Sequence, residues 1–140
     1  METWLIYALL ATFFAGLTSV IAKFGLKDVN ADFGLAVRTA AVFVLVWLLV
    51  FTQKNAGEWQ KLTARTLGFL LLSGATTAAS WVFYYRAIKI GNVSMVAAID
   101  KGSIVVTLLL SFWLLREPAT PKILVGAGLI LAGLVVLVWK

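Results

Sequence analysis

Five long apolar runs, separated by short polar connections, account for most of the sequence. They predict helices over residues 4–24, 33–51, 66–86, 93–115 and 121–139. At about 1.5 Å per helical residue, each run crosses or nearly crosses a hydrocarbon core of roughly 30 Å. Strands are excluded, because the strands of a membrane barrel are short and alternate in polarity, whereas these runs are long and continuous. The pattern predicts an all-α integral membrane protein with five transmembrane helices.

The fourth run differs from the others because Asp100 and Lys101 lie side by side within it. Its uncharged part, residues 102–115, covers only about 21 Å as a helix, so a spanning helix must begin near Val93 or Val96. The two charges then lie inside the membrane, where each costs roughly 2.5 to 3.5 kcal/mol at the helix centre. Such residues usually face a bundle interior or a wet cavity, which makes both candidates for a substrate or proton site.

Two further cations, Lys23 and Arg38, lie near the ends of predicted helices. Arg38 has two interpretations: its side chain reaches out to the membrane surface, or it faces a cavity and acts in the site. Asp100 also has a structural interpretation, in which Arg38 or Lys23 neutralises it and the pair only holds helices together. The sequence leaves these alternatives open.

The third run has small residues at its centre and aromatic residues near its end. Residues 73–80 read SGATTAAS and put no bulk on any helix face, so either neighbouring helices approach closely or the segment lines a cavity. Trp81 and Tyr84 suit an aromatic belt at the membrane surface. They also suit a substrate cavity, because aromatic rings bind cations and other rings.

Two other parts of the chain, the last run and the longest connection, carry residues that indicate contacts with a helix or with the membrane surface. The last run contains Gly128 four residues before Ala132, a spacing that favours close helix contact in membranes. The longest polar connection, residues 52–65, is predicted to be exposed, with Trp59 anchoring a short helix at the membrane surface.

The composition excludes several classes of protein. With 62% hydrophobic and 13% charged residues, the chain is neither an ordinary soluble domain nor a disordered one. It has no His and no Cys, which removes disulfides, thiolate metal sites and histidine acid–base chemistry. With one clearly embedded carboxylate, no enzyme, cofactor or metal site is predicted. The N-terminus lacks the early cations of a signal peptide, so residues 4–24 are predicted to stay as a helix.

The net charge of +6 comes from cations in the connections, which indicates a lipid bilayer as partner and not a nucleic acid. Five helices place the two termini on opposite sides of the membrane. The flanking cations divide five against six: Lys54, Lys61, Arg65, Arg116 and Lys122 on one side, and Lys23, Lys27, Arg38, Arg86, Lys89 and Lys140 on the other. Because orientation follows an excess of Lys and Arg on the cytoplasmic side, this balance predicts that the chain inserts both ways.

Two stretches resemble EamA-type proteins of the drug/metabolite transporter superfamily: WLIYALLATFFAGLTSVIAKFGL and SWVFYYRAIKIGNVSMVAAIDKGSIVVTLLLSFWLLREPATPKILVGAGLILAG. The shared features are an aromatic-rich helix end, a Gly turn, a polar fourth helix, a Glu before a Pro/Thr turn and a Gly-rich last helix. The matching motif residues are Glu117, Gly126, Gly128 and Gly133. The resemblance covers essentially the whole chain and identifies residues 1–140 as a single EamA-type domain.

The resemblance implies a transporter built from two such units in inverted orientation, ten helices in all, of which this chain holds one half. We therefore expect a secondary exporter or importer of small metabolites or drug-like solutes in the cell (inner) membrane, working as an antiparallel homodimer. The expected substrate or proton site comprises Asp100, Lys101, Arg38, Lys23, Trp81 and Tyr84. The alternative is a non-transporting helper or assembly subunit of a membrane complex.

Overall fold

The computed structural model describes residues 2–53 and 55–139, so Lys54 and Lys140 of the predicted cation count lie outside the described residues. The described part is all helical. It contains five helices long and apolar enough to span a membrane: Thr3–Gly25, Ala31–Thr52, Ala64–Ile90, Val93–Leu115 and Pro121–Val138. The prediction of an all-α protein with five such helices is confirmed.

Six α-helices make up these spans, because the fourth span is interrupted. They are α1 (Thr3–Gly25), α2 (Ala31–Thr52), α3 (Ala64–Ile90), α4 (Val93–Asp100), α5 (Ser103–Leu110) and α6 (Pro121–Val138). A π-helical turn, Ser111–Leu115, completes the fourth span after α5. A 3₁₀ helix, Asn55–Lys61, lies between α2 and α3, and Trp59 in it stacks on Trp47 of α2 with ring centroids 5.9 Å apart.

Side-chain caps fix the starts of two spans. The side chain of Asn30 accepts hydrogen bonds from the backbone N–H groups of Asp32 and Phe33, at 2.8 and 3.4 Å, and so begins α2. At α6, the Thr120 hydroxyl accepts from the N–H of Ile123 at 3.4 Å, and Pro121 occupies the first turn. α3 has no such stop at Arg86 and continues to Ile90, because a charge ends an apolar run but does not interrupt backbone hydrogen bonding.

One compact unit consists of Ala22–Ile90. Its core lies where the end of α1, the start of α2 and the end of α3 meet, and it contains Leu26, Ala31, Leu35, Tyr85 and Ile88. Leu26 and Ile88 are 2% and 0% exposed, so this end of the unit is tightly packed. Gly34 belongs to this packing, because a Cβ there would collide with the Leu26 side chain.

The second unit consists of the described residues 2–21 and 91–139. Here α4 packs against α6, and the fourth span tightens into a turn at Lys101 and Gly102. The N–H of Lys101 donates to Ala98 O at 3.0 Å, and that of Gly102 donates to Ile99 O at 2.8 Å. These bonds reach back three residues instead of four, which is the 3₁₀ pattern. The range predicted as one helix is therefore a single span with an interruption at its charged residues.

Much of the apolar surface is uncovered in the single chain. All eight residues of the small-residue run, 73–80, are exposed in the single chain, so the prediction that they pack against a helix or line a cavity stays a prediction. A Cβ on Gly126, Gly128 or Gly133 of α6 would also meet open space. These small-residue faces lie on spans long enough to cross a membrane, so they are open to lipid or to another chain.

Candidate functional site

The first group of predicted site residues lies between α2 and α3. Trp81 and Tyr85 are four residues apart, so their rings lie on one face of α3. The guanidinium carbon of Arg38 lies 4.2 Å from the ring centroid of Trp81 and 5.7 Å from that of Tyr85. Both distances are within the range of cation–π attraction. Arg38 therefore lies against α3, with its cation on two aromatic faces.

In the described part of the chain, the guanidinium of Arg38 has at least one N–H donor group without a hydrogen-bond acceptor. Its Nη1 atom is buried and has no hydrogen-bond partner among the described residues. A buried donor without an acceptor costs about 1 to 3 kcal/mol, and more when the group is charged. Such a group at a candidate site is a reason to look for a ligand that completes it.

Arg86 and Asp32 form an ion pair that the sequence analysis did not identify. Arg86 Nε donates to Asp32 Oδ1 and Arg86 Nη2 donates to Asp32 Oδ2, each at 2.8 Å. This bidentate pair joins the end of α3 to the start of α2 and engages the carboxylate of Asp32. Because both side chains are about half exposed, solvent screens the pair and it contributes little stability. A separation of 54 residues left no signal of the pairing in the sequence.

Lys23 and Lys89 exchange hydrogen bonds between helix ends. Lys23 Nζ donates to the carbonyl oxygens of Ile88 and Lys89, at 2.6 and 3.2 Å, at the end of α3. Lys89 Nζ donates in return to the carbonyl oxygens of Leu26 and Lys27, just after α1. Terminal carbonyls lack partners within their own helix, so each lysine caps the helix that carries the other. The two lysines border a cavity of about 380 Å³, together with Phe24, Leu26 and Lys27.

Asp100 and Lys101 lie at the turn between α4 and α5. Lys101 Nζ is 3.5 Å from Asp100 Oδ2, and both side chains are substantially exposed in the single chain. At that length the contact is a weak hydrogen bond. Beside the turn, an apolar cavity of about 470 Å³ lies between the fourth span and α6. It is lined by Ile99, Gly102, Leu131, Leu134, Val135, Val138 and Trp139.

The remaining predicted residues have separate surroundings. The ring of Tyr84 is half-buried and lies 6.5 Å from that of Tyr85. The backbone N–H of Glu117 donates to Ser111 O at 3.2 Å and closes the end of the fourth span. Among the described residues, no group of three acidic, His or Cys side chains is placed to hold a metal ion.

Five apolar spans and an ion pair within one of them define a multi-pass membrane protein. The model of the EamA-like transporter family matches residues 2–139. The chain is also 37% identical, over 139 residues, to an uncharacterized transporter in the cobO 3′ region of Sinorhizobium sp., with 97% of this chain and 96% of that protein covered. No solved structure matches the chain. The chain belongs to the EamA-like transporter family and is a membrane transporter, as its resemblance indicated.

Proposed function

We propose that the chain is one protomer of a secondary transporter for small polar or amphipathic solutes, in the cell (inner) membrane. The observation that supports this proposal most directly is the interruption of the fourth span at Asp100 and Lys101. Transporter sites commonly use discontinuous helices, whose interrupted backbone and embedded charges bind the solute and the coupling ion. No enzymatic reaction is part of the proposal.

The weak contact between the two charges suits a site that must bind and release. In this proposal Asp100 binds a proton or a cationic group of the solute, and Lys101 neutralises the carboxylate when the site is empty. A contact of 3.5 Å is readily exchanged for another partner, whereas a tightly bonded pair would compete with the solute. The apolar cavity beside Gly102 accepts the apolar part of an amphipathic solute.

The working unit in this proposal contains two copies in opposite orientations. An odd number of spans means that a second copy reproduces the inverted arrangement of the family only when it is flipped. The exposed run 73–80 of α3 and the Gly128 face of α6 provide surfaces for close contact between copies. A two-fold axis in the membrane plane would then place one Asp100 site on each side of the midplane, as alternating access requires.

The test is solute flux into liposomes that contain the purified chain. A thermal-shift screen of metabolite and drug libraries selects the labelled solute. Asp100→Asn should lower uptake at least tenfold while the yield of folded protein stays unchanged, because only the charge is removed. Asp28→Asn, the same change in the exposed connection before α2, should leave uptake within about twofold.

Two outcomes would contradict the proposal. Equal losses of uptake and folded yield in Asp100→Asn would assign this carboxylate a structural role. If a solute that stabilises the wild-type chain is not taken up, the chain is a helper or assembly subunit.

A further inference from the structure

We infer that Arg38, held against Trp81 and Tyr85, binds the carboxylate group of a small organic anion, and that such anions are the solutes of the proposed transporter. The inference rests on the proposed function and assigns the solute's charge to α2 and α3. Asp100 then has the role of binding the proton.

The first argument is that Arg38 forms no ion pair with the described acidic side chains of its own unit. Within the described part of Ala22–Ile90, the two ion-paired carboxylates are already engaged: Asp32 by Arg86 at 2.8 Å and Glu58 by Lys61 at 2.7 Å. Among the described residues of that unit, no ion pair joins Arg38 to a carboxylate. A guanidinium on a membrane-spanning helix is unfavourable without a counter-charge, so a bound anion is the natural complement.

The second argument is the orientation of the guanidinium. Contact with two aromatic rings occupies its face, and the N–H groups used for bidentate binding of a carboxylate lie along its edge. Nη1 is buried and has no acceptor among the described residues, so one donor of that edge is unused, and a carboxylate reaches it only after neighbouring side chains shift. Arg38 as a whole is half-buried, which leaves part of its side chain accessible to a solute. The rings hold the guanidinium in place, so little side-chain freedom is lost when the anion binds.

The third argument concerns charge and the shape of the solute. Lys23 and Lys89 donate their hydrogen bonds to uncharged backbone carbonyls, so their positive charges are not neutralised by these bonds. They therefore raise the positive potential around this end of the unit. Trp81 is only half-buried, so its ring offers apolar contact to the body of the solute. The preferred class is therefore a monocarboxylate with an apolar or aromatic body, not an amine.

The experiment compares matched pairs of probes that share a ring and differ in the charged group. They are benzoate with benzylamine, phenylacetate with phenethylamine, and indole-3-acetate with tryptamine. Binding to the full chain in phosphatidylcholine nanodiscs is measured by titration calorimetry. At least one carboxylate should bind, and its amine counterpart should bind at least tenfold more weakly.

Variants test whether Arg38 makes the contact. Arg38→Lys keeps the charge but loses the planar fork, so carboxylate affinity should fall at least tenfold, which is about 1.4 kcal/mol. Arg86→Lys makes the same chemical change at an arginine already paired with Asp32 and should leave the affinity within about twofold. Thermal unfolding of both variants confirms that they are folded.

Three results would overturn the inference. The amines bind more tightly than the carboxylates, no carboxylate binds, or the carboxylate binds the wild type and Arg38→Lys with equal affinity. Displacement of the carboxylate by phosphatidylglycerol added to the nanodiscs would assign the site to a lipid headgroup and would also overturn it.

Flux measurements separate this inference from the proposed function. If the carboxylate binds through Arg38 but proteoliposomes do not take it up, the transporter proposal fails while the binding site stands. If proteoliposomes take up an amine and Arg38→Lys does not alter that uptake, the transporter proposal stands and the carboxylate assignment fails.

Discussion

Arg116 adopts the left-handed helical conformation, with φ 55° and ψ 32°, at the end of the fourth span. In the described chain it is the one non-glycine residue with a positive φ. A side chain with a Cβ is disfavoured there by roughly 1 to 2 kcal/mol, and glycine normally occupies the position after a helix. The strain allows the N–H of Glu117 to reach Ser111 O and end the span.

Relief of this strain gives a prediction about stability. Arg116→Gly should raise the free energy of unfolding by about 1 kcal/mol, because glycine adopts this conformation without a steric penalty. Equilibrium unfolding in mixed micelles of dodecylmaltoside and increasing SDS measures the change. Arg116→Ala removes the same charge but keeps a Cβ, so it should not stabilise the chain. Equal stabilisation by both variants would show that loss of the charge, and not relief of the backbone, is responsible.

Single residues could be selected from the sequence more easily than their contacts. Arg38 was a candidate because a charge inside a predicted span is costly, and Trp81 because an aromatic ring binds cations and other rings. Their contact was not predicted, because it depends on how α2 and α3 are rotated about their axes. The role of Lys23 as a helix cap could not be predicted for the same reason: its acceptors are backbone carbonyls, which every residue has.

At the scale of helices, the exchange between Lys23 and Lys89 is the main tie between α1 and α3 that involves charged side chains in the described unit. Lys23→Met or Lys89→Met should each lower the free energy of unfolding by about 1.5 to 3 kcal/mol, because charge-assisted hydrogen bonds to helix-end carbonyls are lost. Lys27→Met removes a lysine from the same region and should change the stability by less than about 0.5 kcal/mol.

The double variant extends this test. Since both lysines act on the same two helix ends, the loss in Lys23→Met/Lys89→Met should differ from the sum of the single losses by at least about 0.5 kcal/mol. Strict additivity in the same SDS titration would mean that the two lysines stabilise the unit independently, and the exchange would then not be cooperative.

The helices themselves were predictable to different degrees. Their number and approximate bounds follow from hydropathy, because a span needs about 20 apolar residues whatever its neighbours are. The interruption at Lys101 and Gly102 did not follow from hydropathy, since a 3₁₀ turn and an α-turn bury the same residues and differ only in which carbonyl each N–H reaches. The sequence signals for this interruption were Gly102 and the charges of Asp100 and Lys101.

For the whole molecule, the near balance of flanking cations leads to a prediction about orientation. Gln60 and Asn92 are exposed, uncharged and on either side of α3, so a cysteine at either position leaves the cation balance unchanged in this Cys-free chain. A membrane-impermeant maleimide should label each single-cysteine variant from both sides of the membrane in comparable amounts. Intact cells and inverted vesicles provide the two sides.

A matched control shows that the measurement responds to charge. Adding Lys61→Gln and Arg65→Gln removes two cations from one side and should drive most chains into a single orientation. One uniform orientation in the unaltered background would contradict the antiparallel homodimer and indicate a different partner chain. The partner could not be identified from the sequence, because small-residue faces fit any closely approaching helix.

The lysine exchange also sets an order of events during synthesis. Lys23 precedes its acceptor, the carbonyl of Ile88, by 65 residues. At ribosomal rates of roughly 5 to 20 residues per second, the first helix therefore waits roughly 3 to 13 s for that acceptor to be made. During this interval the lysine exchange cannot form, because neither Lys89 nor the end of the third helix has been synthesised. The exchange can tie the first helix to the third only after the third helix has been made.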